Sequence, residues 1–347
     1  MWLCCVVGRD GRIPKVLSVT ELPVGHCFTL ELAVGLHLEA MEARAPELAA
    51  AMSVRSIGLR AVKESARLVE LTARLSDPFP NLLGSELPRT LEVDLWAPID
   101  LGLDESGTSV SIGLPEHNLL LGGEPGSGKS VALSVLVANA ALDRSVSISL
   151  LDGKQVELAP WAAIAEHFVG PDQSAAVEVL ELLVDEMDRR YETLLDQRRR
   201  KIEPGGDFGL HLVVIDELAL YLRGGKRAVR DSFAELLRDL VSRGRAAGII
   251  VVAATQKPSH EIVPTFIRDL FAYRLAMRCS SSDASDTILG SGWATRDSSA
   301  ATIDPAQRGV GYLLAEGGVP ILIKTPYLND QDIALIARRA EELRGKR

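Results

Sequence analysis

Gly123-Glu124-Pro125-Gly126-Ser127-Gly128-Lys129-Ser130 fills the pattern G-x-x-x-x-G-K-[ST]. An apolar run, Asn118-Leu119-Leu120-Leu121, precedes it, and a stretch of helical character, Val131 to Leu142, follows. Strand, glycine loop and helix in that order predict a phosphate-binding loop in an α/β fold. Glycines let successive backbone N–H groups turn inward to form an anion-binding nest, and the following helix adds its positive N-terminal end. In such a loop Lys129 reaches the β- and γ-phosphates, and the Ser130 hydroxyl is a ligand for Mg²⁺.

A second part of the same site is expected at His211-Leu212-Val213-Val214-Ile215-Asp216-Glu217. Four apolar residues in a row fit a parallel strand covered on both faces. Acidic residues at its C-terminal end then face the crevice where ligands of open α/β sheets bind. Asp216 is the candidate for holding Mg²⁺ through water, and Glu217 for orienting and polarising an attacking water. Alone, the pair is equally an ordinary solvated strand end; beside the glycine loop it reads as catalytic. A third all-apolar strand, Gly248 to Thr255, ends in Gln256. In P-loop ATPases of the additional-strand type this strand is inserted between the other two, which turns Gln256 toward the γ-phosphate. The alternative for Gln256 is a turn amide ahead of Lys257-Pro258.

The 347 residues allow one large α/β domain and a smaller one. Hydrophobic residues make up 47% but aromatics only 5%, so the core must be built mainly from Leu, Val, Ile and Ala. Cys4, Cys5, Cys27 and Cys279 form no C-x-x-C pair and indicate neither a zinc site nor a disulfide framework, which points to a reducing cytoplasm. The apolar start, Trp2 to Val7, is far too short to span a bilayer. A cytoplasmic protein that reaches a membrane only through a partner is expected.

Residues 1–80 read as a small α+β domain. Strands are expected at Ile13–Thr20, Cys27–Val34, Ser56–Val62 and Arg67–Ala73, with a helical stretch Leu38–Met52 that Pro46 starts or kinks. A loop with Asp77-Pro78-Phe79-Pro80 closes it. Residues 81–117 read as a connector with short strands, 118–330 as alternating strands and helices around a parallel sheet, and 331–347 as a charged helical tail. Within 118–330 the expected elements include a strand at Ser147–Asp152, helices at Ala175–Arg200 and Phe233–Arg243, and a strand at Tyr273–Met277. Strands Gly311–Ala315 and Ile321–Lys324 flank a hairpin turn at Glu316-Gly317-Gly318. Basic residues cluster at Arg198-Arg199-Arg200-Lys201, and Arg223, Lys226, Arg227 and Arg230 gather around Gly224-Gly225. Such runs serve as solvated faces, or as mobile loops that track phosphates.

Several segments together resemble the FtsK/SpoIIIE DNA translocases. Asn118 to Val131 is similar to the family's "hLLhaGxxGSGKSV". Asp152-Gly153-Lys154-Gln155-Val156-Glu157-Leu158 resembles "DPKxxEL", and Asp185-Glu186-Met187-Asp188-Arg189-Arg190-Tyr191 resembles "EMERRY". Arg245 to Ile249 and Ala254 to Ser259 are similar to "ARAAGI…ATQRPS". The resemblance covers most of the chain. It implies a RecA-like P-loop ATPase core with a parallel central sheet, preceded by the small α+β domain, and a hexameric ring that uses ATP and Mg²⁺ to pump double-stranded DNA. A net charge of −9 is compatible with that, since a ring needs a basic lining only in its pore.

By the same resemblance, ATP lies between subunits and the neighbour contributes an arginine, with Arg245 the first candidate and Arg243 and Arg274 behind it. The group Arg223, Lys226, Arg227 and Arg230 then belongs to a loop lining the pore. One departure stands out: where the family reads "SSKxDSRTIL", this chain has Asp286 in place of the arginine, so that arginine's role is not carried over. The short architecture resembles compact translocases of actinobacterial conjugative elements, which implies a conjugal-transfer translocase. Chromosome segregation at division, a non-motor adaptor that binds ATP and DNA, and a small-molecule P-loop enzyme are the other readings.

Overall fold

Antiparallel pairing, and an alternation that buries one face, shape the N-terminal part. In the computed structural model, which describes residues 6–345 apart from 63, 64, 80, 81, 260, 297 and 316, the chain forms two compact units. Residues Trp2–Cys5, Pro80, Glu316 of the expected hairpin turn, and the last two residues of the tail lie outside this description. The first unit comprises Met1–Pro80 and Leu103–Ser109. Its elements are β1 (Lys15–Leu22), β2 (Gly25–Glu31), α1 (Leu38–Glu42), α2 (Ala45–Met52), β3 (Ser56–Ala61) and β4 (Leu68–Arg74). The sheet order is β1-β2-β4-β3, antiparallel throughout.

Strand β4 alternates strictly between buried and half-buried residues. Its buried residues Val69, Leu71 and Ala73 pack with Leu30, Leu32, Met41 and Leu48 in one core. The single helix expected over Leu38–Met52 is two helices. Pro46 falls in the first turn of α2, where its missing N–H forfeits no helical bond, and the chain breaks just before it at Ala43-Arg44.

The second unit takes in Asn81–Gly102 and Val110–Arg347. Strands β5 (Ile99–Asp104) and β6 (Ser109–Ile112) are followed by β7 (Leu119–Gly122), α3 (Lys129–Ala141), β8 (Ser147–Leu151), β9 (His167–Val169) and α4 (Gln173–Asp196). Next come β10 (His211–Ile215), α5 (Leu218–Leu222), α6 (Arg227–Arg243), β11 (Ile249–Thr255), α7 (Thr265–Arg268) and β12 (Tyr273–Met277). The chain closes with α8 (Ser282–Leu289), β13 (Val310–Leu314), β14 (Ile321–Lys324) and α9 (Asp330–Gly345). Ten strands form one sheet in the order β6-β5-β14-β13-β12-β7-β11-β10-β8-β9.

From β12 to β9 every neighbouring pair is parallel, while β12–β13 and β13–β14 are antiparallel. The stretch read as a connector thus supplies two strands to the end of the main sheet. The inserted strand lies where expected, β11 between β7 and β10. Every residue of β10 and β11 is buried, which is why both read as unbroken apolar runs. Helix α3 is buried on almost all sides, so its sequence is small and apolar all round and not amphipathic.

Three polar side chains tie the elements together. The Asn118 amide donates to the Val241 carbonyl and accepts from the Val251 N–H, both at 2.8 Å. Arg190, a buried residue of α4, donates to the carbonyls of Gly209 and Ala247, each at 2.8 Å, and pairs with Glu186. Arg344 of α9 donates to the carbonyls of Ala140, Ala141, Asp143 and Val146, supplying the donors that the end of α3 lacks. Among the described residues no helix is long and apolar enough to cross a membrane.

Candidate active site

The C-terminal ends of β7, β10 and β11 converge, because parallel strands all point the same way and their loops open on one edge of the sheet. From β7 the chain runs straight into the glycine loop Gly123–Ser130 and on into α3. Gly126 and Gly128 have φ values of 80° and 104°, in the left-handed region that glycine tolerates. Gly128 also abuts Gly309, whose N–H donates to the Ser127 carbonyl at 2.7 Å, so the strand β13 region backs the loop. Glu124 is held twice by the residue after β12: its N–H donates to the Arg278 carbonyl at 2.9 Å, and its carboxylate pairs with the Arg278 guanidinium at 2.7 Å.

Lys129 is the first residue of α3 and is buried; its Nζ donates to the Asp216 carbonyl at 2.9 Å. Burial lowers its pKa, opposed by the nearby Glu217 carboxylate. Asp216 follows β10 directly and is fully buried. Its Oδ1 accepts from the Gly153 N–H at 2.7 Å, while its Oδ2 has no hydrogen-bond partner among the described residues. Burial pushes its carboxyl up to about 6, with the neighbouring Asp152 adding to the rise and the Gly153 hydrogen bond and Lys129 opposing it. Asp152 is itself buried and accepts from the N–H groups of Lys154 and Leu158.

Glu217 caps the N-terminus of α5 through the Ala219 N–H. The rest of its carboxylate is turned to the inserted strand: it accepts from the Thr255 hydroxyl at 2.8 Å and from the Gln256 N–H at 3.1 Å. Gln256, Lys129, Ser130 and the loop residues Glu124 to Gly128, apart from Ser127, line one cleft of about 420 Å³, together with Arg308, Lys324 and Tyr327. The Gln256 side chain makes no hydrogen bond among the described residues.

Ser127 Oγ and Asp216 Oδ2 are buried oxygens without hydrogen-bond partners among the described residues. With an ionisable carboxyl and a serine hydroxyl, Ser130, at the loop's end, the donor set is all oxygen and suits a hard divalent cation such as Mg²⁺.

Of the arginine candidates, none lines this cleft. Arg245 donates through Nε to the Glu116 carbonyl. Arg243 pairs with Asp188 and Asp239. Arg274 is mostly buried, 3.8 Å from Asp269, and its Nε lacks a hydrogen-bond partner among the described residues.

The basic group around Gly224-Gly225 is not one loop. Helix α6 begins at Arg227, six residues before the first apolar anchor Phe233, so Arg227 and Arg230 stand on its opening turns. Only Arg223 to Lys226 lie outside a helix, turned by Gly224 and Gly225 at φ 68° and 61°. Arg223 pairs with Glu261 and Arg227 with Asp231. Sequence reading also missed Asp152, Thr255, Arg278 and the cleft residues Arg308, Lys324 and Tyr327. Asp152 carried a signal, a lone carboxylate ending the strand beside that of Asp216, and Thr255 lay in the segment that ends the inserted strand; the others carried none.

A profile of the FtsK/SpoIIIE family matches residues 94–296. DNA translocase FtsK of Chlorobaculum tepidum is 30% identical over 308 residues, covering 80% of this chain and 38% of that protein. DNA translocase SftA of Bacillus subtilis is 32% identical over 252 residues, covering 67% and 25%. The chain therefore spans well under half the length of these curated relatives. Among solved structures, the pCW3 conjugation coupling protein TcpA, in a monomer form with ATPγS, is similar with a TM-score of 0.67 at 22% identity, covering 97% of this chain and 95% of that one. The cytoplasmic domain of the Type VII secretion ATPase EccC of Thermomonospora curvata gives 0.59 at 20% identity, covering 73% and 32%. These likenesses show the fold, a mixed α/β P-loop ATPase architecture with a large, mostly parallel central sheet. The chain belongs to the FtsK/SpoIIIE family.

Proposed function

We propose that this family member is an ATP-driven translocase of double-stranded DNA, working as a homo-hexamer in conjugative transfer of a plasmid or integrated element. The observation that carries the reading is the joint placement of Lys129, Asp216, Glu217 and Gln256 around one phosphate loop, with Glu217 hydrogen-bonded to the end of the inserted strand. A carboxylate so held can orient a water for attack on the γ-phosphate. Lys129 and the loop N–H groups neutralise charge on the phosphates. Ser130 and Asp216 would hold Mg²⁺, which would supply further neutralisation of phosphate charge. Gln256 reports the γ-phosphate, and because its backbone shares Glu217 with Thr255, a shift at β11 and a shift of the carboxylate go together.

Arg245 of a neighbouring subunit is the first choice for stabilising transition-state charge, and the Arg223, Lys226, Arg227 and Arg230 group for DNA phosphates. Contacts to phosphates position without reading sequence, so translocation would be largely indifferent to sequence and binding sensitive to salt. The likeness in fold over nearly the whole of TcpA, a conjugation coupling protein, supports the transfer role. The relatives named DNA translocase FtsK keep chromosome segregation as the second reading. Attachment to a membrane would come through a partner, the protein itself residing in the cytoplasm.

The test is ATP hydrolysis with and without long duplex DNA, using Glu217→Ala as control. Strong stimulation that disappears in the variant is expected. Glu217-dependent hydrolysis indifferent to duplex would overturn the DNA-motor reading, and an ATP- and DNA-binding protein without turnover would be an adaptor.

A further inference from the structure

Helix α5 is short and carries a functional group at each end. Glu217 caps its N-terminus through the Ala219 N–H, and Arg223, which opens the basic turn, caps its C-terminus. So short a helix is a poor structure by itself, since nucleation costs more than its few bonds return, and its last carbonyls have no partners within it. One side chain supplies them from outside. Gln173, the first residue of α4, donates through Nε2 to the Leu220 carbonyl at 2.6 Å and to the Arg223 carbonyl at 2.8 Å. The segment just before α4 adds a second tether. The hydroxyl of buried Tyr221 donates to the Gly170 carbonyl at 2.9 Å, and its ring stacks on Phe233 of α6 at 5.1 Å.

The basic turn is built around the same amide. Gly225 has φ 61°, and a Cβ there would stand 2.0 Å from Gln173 Oε1, so the backbone packs directly on the amide and only glycine fits. The Arg223–Glu261 pair joins two exposed side chains and contributes little to holding the turn. We infer that Gln173 is a positioning residue that couples contact with duplex DNA to hydrolysis. It fixes the basic turn to the end of α5, so a phosphate contact that shifts the turn also turns the helix that Glu217 caps. Without the two hydrogen bonds the turn moves and leaves α5 behind. The inference rests on the DNA-motor reading of Glu217 and of the Arg223 to Arg230 group, and adds the part that joins one to the other.

The experiment follows ATP hydrolysis across a range of duplex concentrations for wild type, Gln173→Met, Gln173→Lys, Gly225→Ala and the Gln173→Met, Gly225→Ala double variant. Methionine keeps the length of the side chain and loses the donor; the lysine ammonium can donate to both carbonyls. In Gln173→Met the increment produced by saturating duplex should fall about tenfold, the population shift that losing two hydrogen bonds of ordinary net strength produces. Hydrolysis without DNA should stay within about twofold of wild type and the half-saturating duplex concentration within about threefold, the split expected of lost coupling and not of lost binding. Gln173→Lys should restore most of the increment. Gly225→Ala should lose it as Gln173→Met does, and the double variant should do no worse than either, because both changes unseat the same turn.

An undiminished increment in Gln173→Met would overturn the inference and spare the DNA-motor reading. So would an equal loss in the absence of DNA, a loss that lysine does not restore, additive losses in the double variant, or a change confined to the half-saturating concentration. A wild type that duplex does not stimulate would sink the inference and the DNA-motor reading together.

Discussion

Asp216 is a carboxylate that the folded protein holds at a cost, and Asp216→Asn measures that cost. Its carboxyl lies at about 6 against an ordinary 3.8. Between those values the folded state keeps a proton that the unfolded chain has released. The folded state is therefore favoured at low pH, and this contribution is lost as pH rises through 6. The difference between 3.8 and about 6 corresponds to about 3 kcal/mol at neutral pH, an upper figure because the carboxyl relaxes when ionised. Asparagine keeps the acceptor for Gly153 and never ionises. In urea unfolding with EDTA and no nucleotide, Asp216→Asn should be more stable than wild type by about 1–3 kcal/mol at pH 7.5, the gap closing to about 0.5 kcal/mol near pH 4. Excess Mg²⁺ should narrow the gap at pH 7.5 by stabilising only the wild type. A gap independent of pH, or a less stable variant at pH 7.5, would refute the reasoning.

Arg190→Met leaves the Gly209 and Ala247 carbonyls and the Glu186 carboxylate without their cation, so urea unfolding should show a loss of about 3–5 kcal/mol. A loss below about 1 kcal/mol would mean that water replaces the guanidinium freely. Gly128→Ala places a Cβ 2.7 Å from the Gly309 nitrogen at φ 104°, at a strain of about 1–3 kcal/mol. Its far-UV circular dichroism should match wild type while ATPγS binding is lost; retained binding would show that the loop shifts to make room. For the Glu124–Arg278 pair, Arg278→Ala alone leaves a bare carboxylate in the phosphate loop and should weaken ATPγS, and adding Glu124→Gln should recover part of the loss. The expected coupling is about 1 kcal/mol, and strictly additive effects would rule out electrostatic cooperation between the two.

The phosphate-loop edge of the sheet was legible because its signals are contiguous. Strand, glycine loop and helix adjoin between Asn118 and Leu142, and the runs ending in Asp216 and Gln256 are buried strands whose polar ends mark the crevice. The start of α6 was missed because its first six residues carry three charges, Arg227, Arg230 and Asp231, although Val229 stands four residues before Phe233 and continues its spacing. The pairing of Glu124 with Arg278 joins residues 154 apart in the chain, and the Gly84–Tyr327 bridge brings together segments still farther apart. No local pattern encodes either. The surroundings of the basic group were not legible for another reason: charge in a sequence says nothing of the acidic partners, here Glu261 and Asp231, that share the same surface.

Asn118 and Arg190 act at the ends of the strands away from the phosphate loop, where they bind the start of β7 to β11 and to the end of α6, and lace the segments leading into β10 and β11. In mechanical terms they set the compliance of the sheet. A stroke produced at one end of a lever is useful only if the other end does not slip, and close-packed strands pinned at their far ends yield little under load. In a DNA motor built this way, a displacement of β11 at the γ-phosphate would pass to α6 and its basic opening turn as motion of a stiff body. Loosening Asn118 would then cost step size before it cost hydrolysis.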